Sequence, residues 1–181
     1  MRYYVPVSLA VVMISALLTG CQTAPQTQTD KDKLHDEVRI AILRFKDKDA
    51  GMDRLFESAH GYAVFPSVGR GGFIVGGAYG KGELYVKGKM VGYCDLSQGS
   101  IGAQIGGQGY REIIFFETTT ALKSFQAGTF EFAGQVSAVA ATAGASADAD
   151  YEHGVVVFTM ARGGLMVEAS IGGQNFSYRP K

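Results

Sequence analysis

Two cysteines, three histidines and several closely spaced glycines are the residues of this 181-residue chain whose types and spacing could do chemistry. Cys94 sits in MVGYCDL, which alternates like a strand and offers no basic or histidine neighbour to lower a thiol pKa. It reads as a small buried apolar residue rather than a nucleophile. His35, His60 and His153 are scattered, and none has a partner at metal-ligand spacing, so no metal site is expected; His60 beside a helix end reads as a capping or surface residue. Glycines 69, 71 and 76, and again 102, 106 and 107, have the look of phosphate loops, but such loops open a helix and these lead into apolar strands. No Gly-Lys-Ser/Thr and no Gly-x-Ser-x-Gly elbow occurs. The expectation is a chain without catalytic residues or cofactor, hence not an enzyme.

Cys21 is the exception, because of what precedes it. Met1-Arg2 gives a short positive start, residues 5–18 form an apolar run too short to span a bilayer comfortably, and Leu18-Thr19-Gly20-Cys21 follows at once. These four residues resemble a bacterial lipobox, in which cleavage before the cysteine leaves Cys21 as a diacylglycerol-bearing N-terminus. The competing reading is a plain signal peptide or a short anchor helix that happens to end in cysteine. Gln22 in place of aspartate, by resemblance to Gram-negative lipoproteins, favours the outer membrane, facing the periplasm. With Cys21 acylated, Cys94 is the only thiol left and no internal disulfide can form.

The elements that must carry these residues follow from pattern. Residues 1–20 form the leader. Residues 21–29, with the polar run QTAPQTQT, are a tether that cannot repay the entropy of ordering. Residues 30–181 form one domain, long enough for a full core. A hydrophobic fraction of 46% with 19% charged residues excludes wholesale disorder, and 25 glycines against 4 prolines fit tight turns and close strand packing. Beyond the leader, 16 basic residues face 17 acidic ones, so no global pull toward nucleic acid exists.

Leu34, Val38, Ala41, Ile42 and Phe45 share one face of a helix, which either packs on the core or lies on a bilayer. A second helix is predicted over 52–60, stopped by Gly61, and a third over 118–127, with Thr caps and Gly128 at its end. Strands are predicted over 62–65 (ended by Pro66), 73–79, 83–86, 90–94, 101–105, 111–116, 154–160, 165–171 and 175–178, with a hairpin through Lys87-Gly88-Lys89. Residues 129–139 suit a strand better than a helix, and 140–150 read as a loop. The fold class is α+β and mainly β: an antiparallel sheet or barrel-like core with an N-terminal amphipathic helix and one or two short flanking helices.

Within this frame, four segments carry a resemblance. AHGYAVFPSVGRGG at 59–72, QGSIGAQIGGQ at 98–108, ALKSF at 121–125 and GGLMVEASIGG at 163–173 are similar, in order and spacing, to the SYLF domain family. The chain resembles its bacterial lipoprotein branch over nearly all of 34–178. The resemblance implies a lipid-binding module; eukaryotic members bind phosphoinositides and some bind actin filaments, and the bacterial lipoproteins associate with phospholipid membranes. The chain departs at 141–148, where ATAGASAD replaces a glycine-proline-glycine-arginine segment, and at Ser170-Ile171-Gly172-Gly173, where eukaryotic relatives carry serine-leucine-glutamate-glycine. Actin is therefore not an expected partner.

The implied partner is a phospholipid membrane, and the lipid-binding candidates are Arg70, Phe73, Lys81, Lys87, Lys89 and Lys123, together with lipidation at Cys21. Converged on one face, those cations would meet anionic head groups; scattered, they are ordinary solvated charges. The alternative is a structural lipoprotein that binds an envelope protein and uses its acyl chains only for location.

Overall fold

The computed structural model describes residues 25–72, 75–101, 108–130, 138–162 and 173–181. Cys21, the leader, Phe73, and the strand expected over 165–171 lie outside them, as do most of those expected over 101–105 and 129–139. Among the described residues three helices and seven strands follow one another: α1 (Gln28–Lys48), α2 (Met52–Ser58), β1 (Gly61–Gly72), β2 (Val75–Val86), β3 (Lys89–Ile101), β4 (Gln108–Phe116), α3 (Thr119–Gln126), β5 (Val139–Ala140), β6 (Val155–Ala161) and β7 (Gln174–Pro180). The strands form one sheet in the order β5-β6-β4-β1-β2-β3-β7, antiparallel except for the short β5–β6 pair. The mixed, mainly β class is the expected one, and the sheet stays open at β5 and β7.

The sheet curls strongly. Gln174 on β7 donates to Glu112 Oε2 at 3.0 Å and to the Tyr110 hydroxyl at 3.2 Å, although β4 lies three strands beyond β3 in the sheet order. Phe176, also on β7, comes within 5.9 Å of Phe65 on β1. The concave face so formed encloses Phe65, Leu84, Leu96, Ile114 and Phe116, and α3 closes it with Leu122 and Phe125, the latter 5.0 Å from both Phe116 and Phe176. Alternation sends the other residues of each strand to the opposite face. There α1 and α2 lay Leu34, Val38, Phe45, Met52 and Leu55 onto Tyr62, Val64, Ile113 and Phe115. Each such side chain contributes about 1.5–3 kcal/mol by leaving water. Of the two readings of α1, packing on the core is the one the structure realises.

Local chemistry explains where the elements differ from expectation. Thr27 caps α1: its hydroxyl accepts from the Asp30 N–H at 3.1 Å and Asp30 reaches back to the Thr27 N–H, so the helix starts at Gln28, two residues before Asp30. Helix α2 ends at Ser58 because Ala59 is already extended, and Gly61 opens β1 rather than stopping the helix. Pro66 does not end β1. The pairing with β2 shifts between Val64 and Ser67, a bulge where a residue without an N–H does no harm to the ladder. The segments expected as 73–79 and 83–86 join into β2. The β2–β3 hairpin turns through Lys87 and Gly88, both left-handed with φ of 49° and 74°, as a two-residue turn of this twist demands.

Two contacts fix the assembly. Asp49, nearly inaccessible at 3% exposure, accepts from the Ser146 N–H at 2.7 Å and the Gly51 N–H at 3.0 Å, pinning the 142–147 turns to the α1–α2 junction. Burial pushes its carboxyl up, but the hydrogen bonds from Ser146 and Gly51 outweigh it and hold the group below its ordinary 3.8. Gly82 faces the β1 bulge, where a side-chain carbon would run into the Val64 carbonyl oxygen and the Phe65 ring.

Gly82→Ala should therefore lower unfolding stability by about 1–3 kcal/mol in urea melts, whereas Gly69→Ala, where nothing stands within 4 Å, should cost no more than about 0.5 kcal/mol. Asp49→Asn should cost about 1–3 kcal/mol at neutral pH. Because the folded carboxyl lies below its unfolded value, that contribution is whole above pH 3.8 and vanishes as pH falls through the folded value. Wild type and Asp49→Asn should accordingly converge in stability in acid.

Candidate functional site

The helix cover on the outer face is partial. Helix α1 packs on the outer face along its length, with Leu34 in the cluster of Tyr62, Val64, Tyr85 and Tyr93 and His35 reaching Glu83, and beyond the β1 bulge it leaves part of the sheet uncovered. A groove of about 430 Å³ opens there, with Ser67, Gly69, Tyr79 and Lys81 on the sheet side and Lys33 and Glu37 on the helix side. Cross-strand register builds the floor: Ser67 pairs with Lys81 and Gly69 with Tyr79, while Gly69 pairs with Gly109 on its other side. The missing side chain at 69 leaves the backbone open, since nothing stands within 4 Å of where a Gly69 Cβ would be, whereas the Arg162 side chain lies over Gly109.

Arginines border this floor. Arg162, just past β6, donates from its backbone to the Gly109 carbonyl at 2.9 Å and from its guanidinium to the Ser67 hydroxyl. Arg111 alternates with Ile113 and Phe115 on β4, which puts it on the same face, and it is half-buried. Burial, and after it the charges of Arg162 and Arg44, pull the Arg111 guanidinium below its ordinary value. None of these three arginines is in an ion pair among the described residues. Acidic groups stand nearby as well: Asp30 and Glu37 line the groove, and Asp95, opposite Lys81 in the β2–β3 register, accepts from the Tyr79 hydroxyl at 2.9 Å and from Ser177 at 3.3 Å.

Apolar exposure falls on the same side. Ile40 and Leu43 on α1 are 51% and 64% exposed and Tyr79 is 41% exposed, and these are the exposed large hydrophobic residues among those described. They stand around a helix held to the sheet by a buried polar contact: Glu83 on β2 accepts from the Tyr85 hydroxyl at 2.6 Å and lies 3.1 Å from His35 Nδ1 on α1.

The residues singled out in sequence do not converge. Lys81 lines the groove. Lys87 and Lys89 stand exposed at the β2–β3 hairpin, and Lys123 is exposed on α3, which covers the concave face. Arg70 is placed by its backbone, paired with Ala78 and Gln108; Cys21 and Phe73 lie outside the described residues. Sequence reasoning missed Arg44, Arg111 and Arg162. Arg111 carried a signal, since its two-residue spacing from Ile113 and Phe115 marks a cation on a buried face.

No group of three or more His, Cys, Asp or Glu side chains gathers into a metal site among the described residues. The Cys94 thiol is buried within the core, and burial pushes it well above its ordinary value. Among the described residues no helix is long and apolar enough to cross a membrane.

Comparison with known proteins adds two findings. Residues 97–181 match the Ysc84 family, described as Las17-binding protein actin regulator. Over 138 residues, 75% of its length, the chain is 28% identical to Beta cell expansion factor A of Aeromonas veronii. The chain spans about half the length of that relative, 52%.

Replacing His35 by Ala should leave Glu83 buried with one partner fewer, lowering stability by about 1–3 kcal/mol. Hydrogen exchange should then quicken first in α1.

Proposed function

We propose, for a chain that belongs to the SYLF (Ysc84) domain family, that it is a lipoprotein of the bacterial envelope, anchored through Cys21 and associating with phospholipid membranes through the outer face of its domain. The observation that carries this reading is the meeting of unneutralised Arg44, Arg111 and Arg162 with exposed Ile40, Leu43 and Tyr79 on the α1 side. Cations near an anionic surface contribute about 1 kcal/mol each, and apolar side chains beside them gain by entering the interface. Acylation at Cys21 supplies the main hold and fixes the domain near the bilayer. The basic residues at 87, 89 and 123 would be solvated charges in this arrangement.

A second reading, a lipoprotein that binds an envelope protein partner, draws support from the Las17-binding description of the family. Actin is not the partner proposed, since the segment at 141–148 lacks the arginine of eukaryotic relatives and a periplasm-facing domain would not meet filaments.

The chain lacking residues 1–21 should cosediment with anionic vesicles at low salt and detach as salt rises. Arg44→Gln, Arg111→Gln and Arg162→Gln together should weaken that partitioning by about two orders of magnitude, at about 1 kcal/mol per charge. No cosedimentation at low salt by a folded sample sinks the domain's lipid contact and leaves the anchor standing. Incorporation of labelled fatty acid, abolished in Cys21→Ser, checks the anchor separately.

A further inference from the structure

Beyond the β1 bulge the outer face is built of hydroxyl, ammonium, carboxylate and amide groups around a single aromatic ring. Cross-strand register sets two neighbouring rows there, Ser67–Lys81–Asp95–Ser177 and Gly69–Tyr79–Ser97–Asn175, and their two-residue spacing along each strand keeps both rows on one face. Tyr79 is the ring, and it is 41% exposed. Its hydroxyl donates to Asp95 Oδ1 at 2.9 Å, and Asp95, only 8% exposed, accepts from Ser177 as well. The phenol is thus tied at its tip while the ring stays open to water. Across from it Gly69 leaves the backbone bare, with nothing within 4 Å of where a Cβ would be. The rows run into the groove of about 430 Å³, a size within the range of about 300–1,000 Å³ that holds small molecules. Charge in that groove cancels: Lys33 and Lys81 are matched in its lining by Asp30 and Glu37, and Asp95 lies opposite Lys81. An anion placed there meets Glu37, and a cation meets the two lysines. A neutral molecule rich in hydroxyls gives to the carboxylate and accepts from the ammonium groups at once.

We infer that the groove between α1 and the Ser67–Gly69 segment of β1 is a binding site for a neutral carbohydrate, whose ring stacks on Tyr79 while its hydroxyls bond to Lys33, Glu37, Ser67 and Lys81. A pyranose has a face of C–H groups, which suits the negative face of an aromatic ring, and a rim of hydroxyls that both donate and accept. Holding Tyr79 through Asp95 removes the ordering cost that a free aromatic side chain would add to binding. The bare backbone at Gly69 gives the sugar room beside the ring. The sugar is either a unit of a linked glycan chain or a free saccharide. The inference does not rest on the membrane reading, which needs Ile40, Leu43 and the arginines as well.

The test uses the full chain in micelles of a sugar-free polyoxyethylene detergent, titrated with glucose, N-acetylglucosamine and chitotriose and followed by NMR shifts of the protein. Saturable one-to-one binding of a saccharide is expected, with the shifts centred on residues 67–69 and 79–81. Tyr79→Ala, and independently Gly69→Val, which fills open space at a site where nothing stands close, should each weaken it about tenfold or more. Tyr79→Phe, which keeps the ring and loses the bond to Asp95, should retain most of the affinity that Tyr79→Ala loses, a split that a merely structural tyrosine would not produce. Lys123→Gln on α3, which covers the concave face, should leave binding unchanged. Chitotriose bound about tenfold tighter than either monosaccharide assigns a linked glycan, and equal affinities assign a free saccharide. Absence of saturable binding of all three sugars, or binding indifferent to both Tyr79→Ala and Gly69→Val in proteins that melt as wild type does, overturns the site.

Discussion

The central strands of this sheet are buried on both faces, and everything else in the molecule answers that constraint. Along β4, Ile113, Ile114, Phe115 and Phe116 are all inaccessible, and along β1 so are Ala63, Val64 and Phe65. Strands of that kind cannot face water on either side, so two covers are needed. On one side the sheet supplies its own by curling until β7 meets β4, with α3 closing the mouth. On the other the cover is α1 and α2, clamped by Asp49 at their junction and by Glu83 beneath His35. Curling requires close approach of backbones, which is why Gly82 has no room for a side chain beside the β1 bulge.

The same constraint decides where the surface is free to do something else. Beyond the bulge at Val64–Ser67, β1 turns its glycine-bearing half away from the helix cover, and the strand there no longer needs an apolar lid. The bulge thus separates a sealed half of the outer face from an open one. The groove lies on the open half, with Lys33 and Lys81 in its lining, and Arg162 approaches from beyond it through Ser67. Glycine has two uses in this chain. At Gly82 the absent side chain lets the core close; at Gly69 it keeps the floor empty.

Much of this was legible in sequence, and what was not has a physical cause. The run Ile113 to Phe116 reads as a buried strand because neither face alternates with polar residues, and the helical spacing of Leu34, Val38, Ala41 and Phe45 names the covering face of α1. Pro66 misled because a lone proline ends most strands; only the pairing with β2 reveals a bulge that tolerates it. Thr27-x-x-Asp30 was a readable start for α1, hidden by the polar composition around it. The arginine cluster is of another kind. Arg111 from β4 and Arg162 from the end of β6 are brought near each other by cross-strand register, and Arg44 by the packing of α1 on the sheet. Lysines at turns drew notice because turns are visible in sequence, whereas register is a property of the folded sheet.

That difference bears on what the family match over residues 97–181 carries. The family match spans the C-terminal part of the sheet from the end of β3 onward with α3, and leaves α1, α2, β1 and β2 outside it. It does not by itself carry the ligand, which depends on the charges bordering the open half. In this chain the segment at 141–148, poor in charge, sits at the α1–α2 junction as a structural clamp, with Ser146 held by Asp49 and its carbonyl accepting from Arg54. That segment is spent on holding the helix cover down. Positive charge stands instead beside the groove, where β4 and β6 bring it together and α1 adds to it. The charge that borders the open half of β1 is set by the register of β4 against β6, which a match in sequence does not record.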